Sequence, residues 1–260
     1  MDSLNRLRHR LCWLKATALV LLLLGSGSVP GDHLMVIKGT DNSHIVYTID
    51  TISRIFFIDC GNAQVSYEGT IYNTIHIGNQ CWLKENLDVG MFITSATEQS
   101  DNGGSNVIEK YCYENIEANC TTYGALYMWD EAMRYTLIDG AQGICPENWR
   151  IPTVTELDIL AAEVGGDGNS LKAIGQGSGA GAGTDTSGFS ALLSGYVTYL
   201  AHGKSWGGLG TATSLWSSTE YIASLSDVMR LTDLSADIVV RPDPKGYGVS
   251  VRCILDLTTQ

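Results

Sequence analysis

The chain reads as an α+β domain with an antiparallel sheet, stabilised by disulfides and preceded by a small β-hairpin unit. Three observations lead there. Short alternating or β-branched segments recur, separated by Gly, Asn and Asp turns. The window Cys145 to Leu157 carries a strong helix start. Six cysteines, an even number, follow a leader-like N-terminus.

The leader covers residues 1–28. Arg6, Arg8, Arg10 and Lys15 make a basic region, and Ala16 to Leu24 is an apolar run too short to span a bilayer. Gly25 to Ser28 supply small residues for cleavage. Removing this segment leaves 12 basic against 27 acidic side chains, a formal charge of −15. Such a chain repels nucleic acid and anionic membranes. No membrane insertion is expected after cleavage, and the expected location is secreted or on the cell surface.

Residues 29–59 form the β-rich N-terminal segment. Leu34–Lys38, His44–Ile49 and Arg54–Ile58 read as strands, with Gly39 to Asn42 as a turn. A unit this small is marginal alone and should pack on something. The main domain is expected over residues 60–257. Its first signal is the Tyr67 to Thr70 turn. Ile71, Asn73, Ile75 and Ile77 then alternate with Tyr72, Thr74 and His76 at period two. Gly78-Asn79 turns the chain into Cys81 to Leu87, and the polar residues 95–106 read as a loop.

Tyr123 to Tyr135 reads as a helix, because Ala125, Leu126, Trp129, Ala132 and Met133 share one helical face. In the next helix Pro152 holds Ile151 extended, Thr153 is the N-cap, and Glu156 closes a capping box. Leu157, Leu160, Ala161 and Val164 follow at helical spacing until Gly165 ends it. The glycine-rich stretch 165–188 reads as a mobile surface loop, since its glycines never give the phosphate-binding spacing G-x-G-x-x-G. Phe189–Leu193, Tyr196–Leu200, Ser214–Thr219, Val228–Leu231, Ile238–Arg241 and Val249–Ile254 are the remaining strands. They are expected to be antiparallel because their connections are short.

Chemistry-bearing motifs are sparse. Gly203-Lys204-Ser205-Trp206-Gly207 matches a hydrolase elbow, but no His lies beyond His202 to complete a triad. The histidines are scattered, so neither a metal site nor catalysis is expected. Asp101-Asn102-Gly103 and Asp167-Gly168-Asn169 are weak calcium-loop candidates without the spacing of an EF-hand, and they read as turns. Trp206, Trp216, Glu220 and Tyr221 are the candidate ligand-binding residues. Aromatic faces stack on sugar C–H groups, and a carboxylate binds hydroxyls. Trp216 suits the core better, with Trp206 open to either role. The six cysteines Cys60, Cys81, Cys112, Cys120, Cys145 and Cys253 admit 15 pairings, and no C-x-x-C suggests zinc or redox chemistry.

Six ordered blocks carry a family resemblance. Tyr72-Asn73-Thr74-Ile75 leads through Gln80-Cys81-Trp82-Leu83 to Glu85-Asn86-Leu87. Tyr123-Gly124-Ala125-Leu126-Tyr127 and Gly143-Ile144-Cys145-Pro146, with Trp149-Arg150-Ile151-Pro152-Thr153, come next. Gly188-Phe189-Ser190-Ala191-Leu192, Trp216-Ser217-Ser218-Thr219-Glu220 and Gly248-Val249-Ser250-Val251-Arg252-Cys253 close the series. Over about residues 60–257 the chain resembles the Fibrobacter succinogenes major paralogous domain. Residues 34–58 resemble a strand-rich segment that precedes such domains in surface proteins of Bacteroidota.

The resemblance implies a C-type-lectin-like fold with two helices, its chain ends brought together. It also implies the pairs Cys145–Cys253, Cys112–Cys120 and Cys60–Cys81. The Glu-Pro-Asn and Trp-Asn-Asp motifs of calcium-dependent lectins are absent, as are counterparts of the catalytic cysteines of formylglycine-generating enzymes. The expected function is a non-catalytic binding or adhesion module without cofactor, recognising polysaccharide or a surface protein. The alternative is a structural subunit of a surface assembly, including a homo-oligomer.

Overall fold

The protein is described here by a computed structural model covering residues 34–38, 44–48, 59–101, 104, 106–200 and 203–256. The chain divides into two units, one of residues 60–256 and one of residues 1–59 with 257–260. In the second of these, β1 (Leu34–Lys38) and β2 (His44–Thr48) pair antiparallel, with Leu34 opposite Thr48 and Lys38 opposite His44. The leader at 1–28 and the expected strand Arg54–Ile58 lie outside the described residues.

The larger unit holds two five-stranded sheets. The first runs β3 (Gln64–Tyr67), β4 (Thr70–Ile77), β5 (Gln80–Leu83), β14 (Ile254–Leu255), β8 (Trp149–Arg150), every pair antiparallel. Period two is real in β4, but the inward row opens with Tyr72 and Thr74, and Ile71 is exposed. Tyr72 belongs inside because its hydroxyl accepts from the Asp88 amide at 3.0 Å. Thr74 donates its hydroxyl to the Ala63 carbonyl at 2.8 Å. A polar group that finds a partner can be buried in place of an isoleucine.

The second sheet runs β10 (Gly203–Leu209), β9 (Ser194–Leu200), β11 (Ala212–Ile222), β12 (Leu225–Thr232), β13 (Val239–Pro244). It is antiparallel except where β9 and β11 run parallel at Gly195 and Thr213. β10 is a strand the sequence reading did not foresee. β6 (Met91–Phe92) and β7 (Glu109–Lys110) form a separate short parallel pair.

The expected last strand, Val249–Ile254, is instead an extended rib between the sheets, joining a regular ladder only at β14. Val249 exchanges backbone bonds with Tyr127, Ser250 pairs with Ser214 and Trp216, and the Val251 and Cys253 carbonyls accept from Leu87 and Leu83. Each rib residue serves a different neighbour, so no continuous ladder forms. Phe189–Leu193 is likewise no strand; Ala191 makes a single bridge to Lys172.

The expected helix Tyr123–Tyr135 is also corrected. Tyr123 ends α1 (Glu117–Tyr123), and only one turn, α2 (Trp129–Ala132), lies within the stretch. Between them the chain is extended, with Leu126 bridged to Tyr111 and Tyr127 to Val249. Ala125, Tyr127 and Trp129 enter one buried cluster while Leu126 and Met128 enter another. That is burial at every position, which helical and strand periodicity fit equally well. Gly124 is needed at the break: its φ is +82°, and a Cβ there would come 2.4 Å from the Asn86 side chain.

The foreseen helix start is present in α3 (Val154–Glu163). Thr153 caps it, Glu156 closes the capping box, and the Val154 amide is satisfied by the Thr219 hydroxyl at 2.9 Å. The three disulfides are Cys60–Cys81, Cys112–Cys120 and Cys145–Cys253.

The stretch 165–188 is ordered and packed rather than a free surface loop. It holds α4 (Gly168–Leu171) and a 3₁₀ turn at Gly179–Gly181. Asp167 caps α4 by accepting from the Asn169 amide, so this turn uses its acid internally. A Cβ on Gly181 would lie 2.3 Å from the Asp233 carbonyl, a close approach that requires glycine. Among the described residues no helix is long and apolar enough to cross a membrane.

Candidate functional site

The four residues singled out from sequence do not converge. Trp216 is fully buried, with its indole N–H donating to the Tyr127 carbonyl at 2.8 Å, so it cannot face a ligand. Trp206 lies on the edge strand β10, half-buried, its ring 5.4 Å from that of Tyr113. Glu220 pairs with Lys245, just beyond the opposite edge strand β13, and Tyr221 beside it is exposed. Lys245 is itself held 3.9 Å over the Trp129 ring. Trp206 thus sits on an edge strand, whereas Glu220 lies on the central strand β11 and pairs with Lys245 beyond β13.

What the fold does bring together is a cleft of about 400 Å³ beside the β6–β7 pair. Its floor exists because Gly90, at φ +97°, lets the chain pass tightly over Ile108; a Cβ there would be 2.4 Å from the Ile108 carbonyl. The Met91 amide then donates to that carbonyl at 2.7 Å. Lys110 donates to the Asp88 carboxylate at 2.5 Å in the lining of the cleft, both side chains largely shielded from solvent. Glu68, at the β3–β4 turn, and Asn106 complete the polar rim, while Met91 and Val107 expose apolar surface.

A buried polar network fixes the wall behind. Glu131 on α2 is wholly buried and accepts from the Glu109 amide at 2.9 Å and from the Tyr135 hydroxyl at 2.5 Å. Arg134 spans from Glu131 to the Val107 carbonyl and to Asn106. Burial pushes the Glu131 carboxyl above its ordinary range, a shift opposed by Tyr135, the Glu109 amide and Arg134. Tyr135 is also pushed up, by burial and by its bond to Glu131. Tyr72, whose hydroxyl supports the Asp88 backbone, is raised to about 12, chiefly by burial. The two tyrosines keep their protons near neutrality, so they enter the wall as fixed hydrogen-bonding groups.

The cleft residues were not found from sequence. One signal was legible: Leu87-Asp88-Val89 and Ile108-Glu109-Lys110-Tyr111 place charges inside apolar runs. Among the described residues no three His, Cys, Asp or Glu side chains are grouped to hold a metal ion.

The fold and cleft define a disulfide-clamped α+β domain of two sheets and short helices, with a shallow polar cleft. Residues 75–255 match the family described as the Fibrobacter succinogenes major domain, and the chain belongs to that family. No curated protein and no solved structure matches the chain.

Proposed function

We propose that the chain is an exported, non-catalytic binding module whose cleft at Asp88 and Lys110 takes a polysaccharide. The observation that carries this reading is the make-up of the cleft. A shielded donor–acceptor pair, Lys110 and Asp88, stands beside the carboxylate of Glu68, the amide of Asn106 and the apolar faces of Met91 and Val107. Sugars present alternating hydroxyls and C–H faces, and a small set of placed polar groups over apolar surface suits them. Export is supported by the leader-like residues 1–28 and by the three disulfides. A C-type-lectin-like fold is supported by the closing of the domain at β14, where the last described strand meets β5 and β8.

Binding of the oxidised protein to a panel of plant and bacterial polysaccharides tests the reading. Asp88→Asn combined with Lys110→Gln should weaken retention at least about tenfold, the scale of lost charge-assisted hydrogen bonds. Recovery of a protein partner with no glycan retained removes it.

One observation favours the structural-subunit reading. The β1–β2 hairpin is a two-stranded sheet, a size that is marginal alone, and among the described residues neither strand has a second neighbour. Deleting residues 34–58 and measuring mass by light scattering decides; an unchanged monomer excludes strand donation.

A further inference from the structure

The cleft beside the β6–β7 pair is unbalanced in charge. Its lining carries one cation, Lys110, and two carboxylates, Asp88 and Glu68. Lys110 donates to Asp88 at 2.5 Å, so that pair is matched within itself. Behind the rim, the Arg134 guanidinium is taken up by Glu131, the Val107 carbonyl and Asn106. The Glu109 carboxylate, also in the wall, accepts from the Ser100 amide at 2.9 Å. Of these charged groups Glu68 alone is exposed, and it has no hydrogen-bond or ion-pair partner among the described residues.

The backbone sets where Glu68 stands. Tyr67 opposes Thr70 in the β3–β4 ladder, so Glu68 and Gly69 form a two-residue hairpin turn, with φ of +48° and +80°. Asn or Gly adopts such angles at less cost than Glu. The turn by itself therefore gives no reason for a glutamate, whereas the cleft at its side does.

An anionic sugar entering this cleft meets no unspent cation, and it must approach a chain of formal charge −12. A cationic sugar is drawn in by the same field. It finds Glu68 ready to accept charge-assisted hydrogen bonds, which are shorter and stronger than neutral ones. Met91 and Val107, 53% and 43% exposed, leave apolar surface for a pyranose C–H face.

We infer that the cleft selects a basic saccharide, an amino sugar with a free ammonium such as a glucosamine unit, and that Glu68 sets this preference. The ligand class rests on the polysaccharide reading above and narrows it by charge.

The test is calorimetry on the full oxidised chain in mildly acidic buffer, where sugar amines are charged. The ligands are the glucosamine trimer, its N-acetylated form, neutral cellotriose and trilysine. The glucosamine trimer should bind at least about tenfold more tightly than either uncharged trimer, and more weakly as salt rises. Glu68→Gln should remove that preference and leave the affinity for the uncharged trimers as it was. Glu68→Asp, which keeps the charge on a shorter arm, should keep part of it. Equal binding of the N-acetylated trimer, or an undiminished preference in Glu68→Gln, overturns the proposal and leaves the polysaccharide reading standing. Trilysine bound as tightly as the glucosamine trimer overturns the sugar assignment, and no saccharide bound at all overturns both readings. Glu68 lies on an exposed turn, so its substitution leaves the core untouched, and the N-acetyl comparison on unaltered protein decides without it.

Discussion

Helix α3 has an irregular segment at each end, and the two are held by different physics. The approach, residues 145–153, is tied by the Cys145–Cys253 disulfide and by Arg150. That guanidinium grips Glu156 through two bonds of 2.6 and 2.5 Å and reaches Asp256 at 3.3 Å. The glycine-rich segment that leaves the helix contains no cysteine. It is gathered around the buried ammonium of Lys172, which donates to the carbonyls of Gly181, Thr232 and Ser235 at 2.5, 2.7 and 2.8 Å. Burial lowers the pKa of Lys172, opposed by Asp167 and Asp233. The comparison teaches that glycine content does not decide mobility. A flexible sequence becomes rigid when one donor collects carbonyls that have no other partner.

The comparison can be broken most forcefully at the disulfide. Its cysteines are 108 residues apart, so Cys145→Ala with Cys253→Ala should cost roughly 4–5 kcal/mol in the chain-entropy account. Denaturant unfolding of the oxidised variant checks this, and a loss below about 1 kcal/mol would show that the approach holds without its covalent tie. Lys172→Met comes next. Three buried carbonyls lose their donor, for an expected cost of about 3–4 kcal/mol. Hydrogen exchange should then quicken in residues 176–185 while the approach to α3 keeps its protection. Uniform quickening would mean that the two segments are not separately held.

Thr153→Ala sharpens the contrast on a smaller scale. It removes half of the capping box and should cost about 1 kcal/mol, with the disulfide still formed. The smallest effect concerns pH and the wall of the cleft. The Glu131 pKa is raised above 4.5, so between 4.5 and its raised value the folded state binds more protons than the unfolded state. Stability from this group therefore falls as pH rises through that window. Glu131→Gln should gain in Tm relative to wild type over the same rise, and a constant difference across it would refute the shift.

Legibility followed range. The start of α3 was readable because Thr153 and Glu156 are three residues apart and satisfy each other's backbone. The cysteine pairs followed from the family blocks, not from spacing. Tyr123–Tyr135 misled because its residues are apolar at both periods, and Gly124 was the cue that the stretch is interrupted. The cleft escaped because Asp88 and Lys110 meet only through the parallel β6–β7 pair, whose strands lie on either side of the polar loop 95–106.

By itself, then, the sequence determined what neighbouring residues settle between themselves: the capped helix start, the turn-bounded strands of the hairpins, and the family to which the blocks belong. Tertiary structure alone decided that the last segment is a rib between sheets and that Lys172 finds acceptors 9, 60 and 63 residues away. The reason is physical. A cap or a tight turn is satisfied within a few residues of chain, whereas a buried ammonium takes its meaning from groups that only folding brings within hydrogen-bond reach.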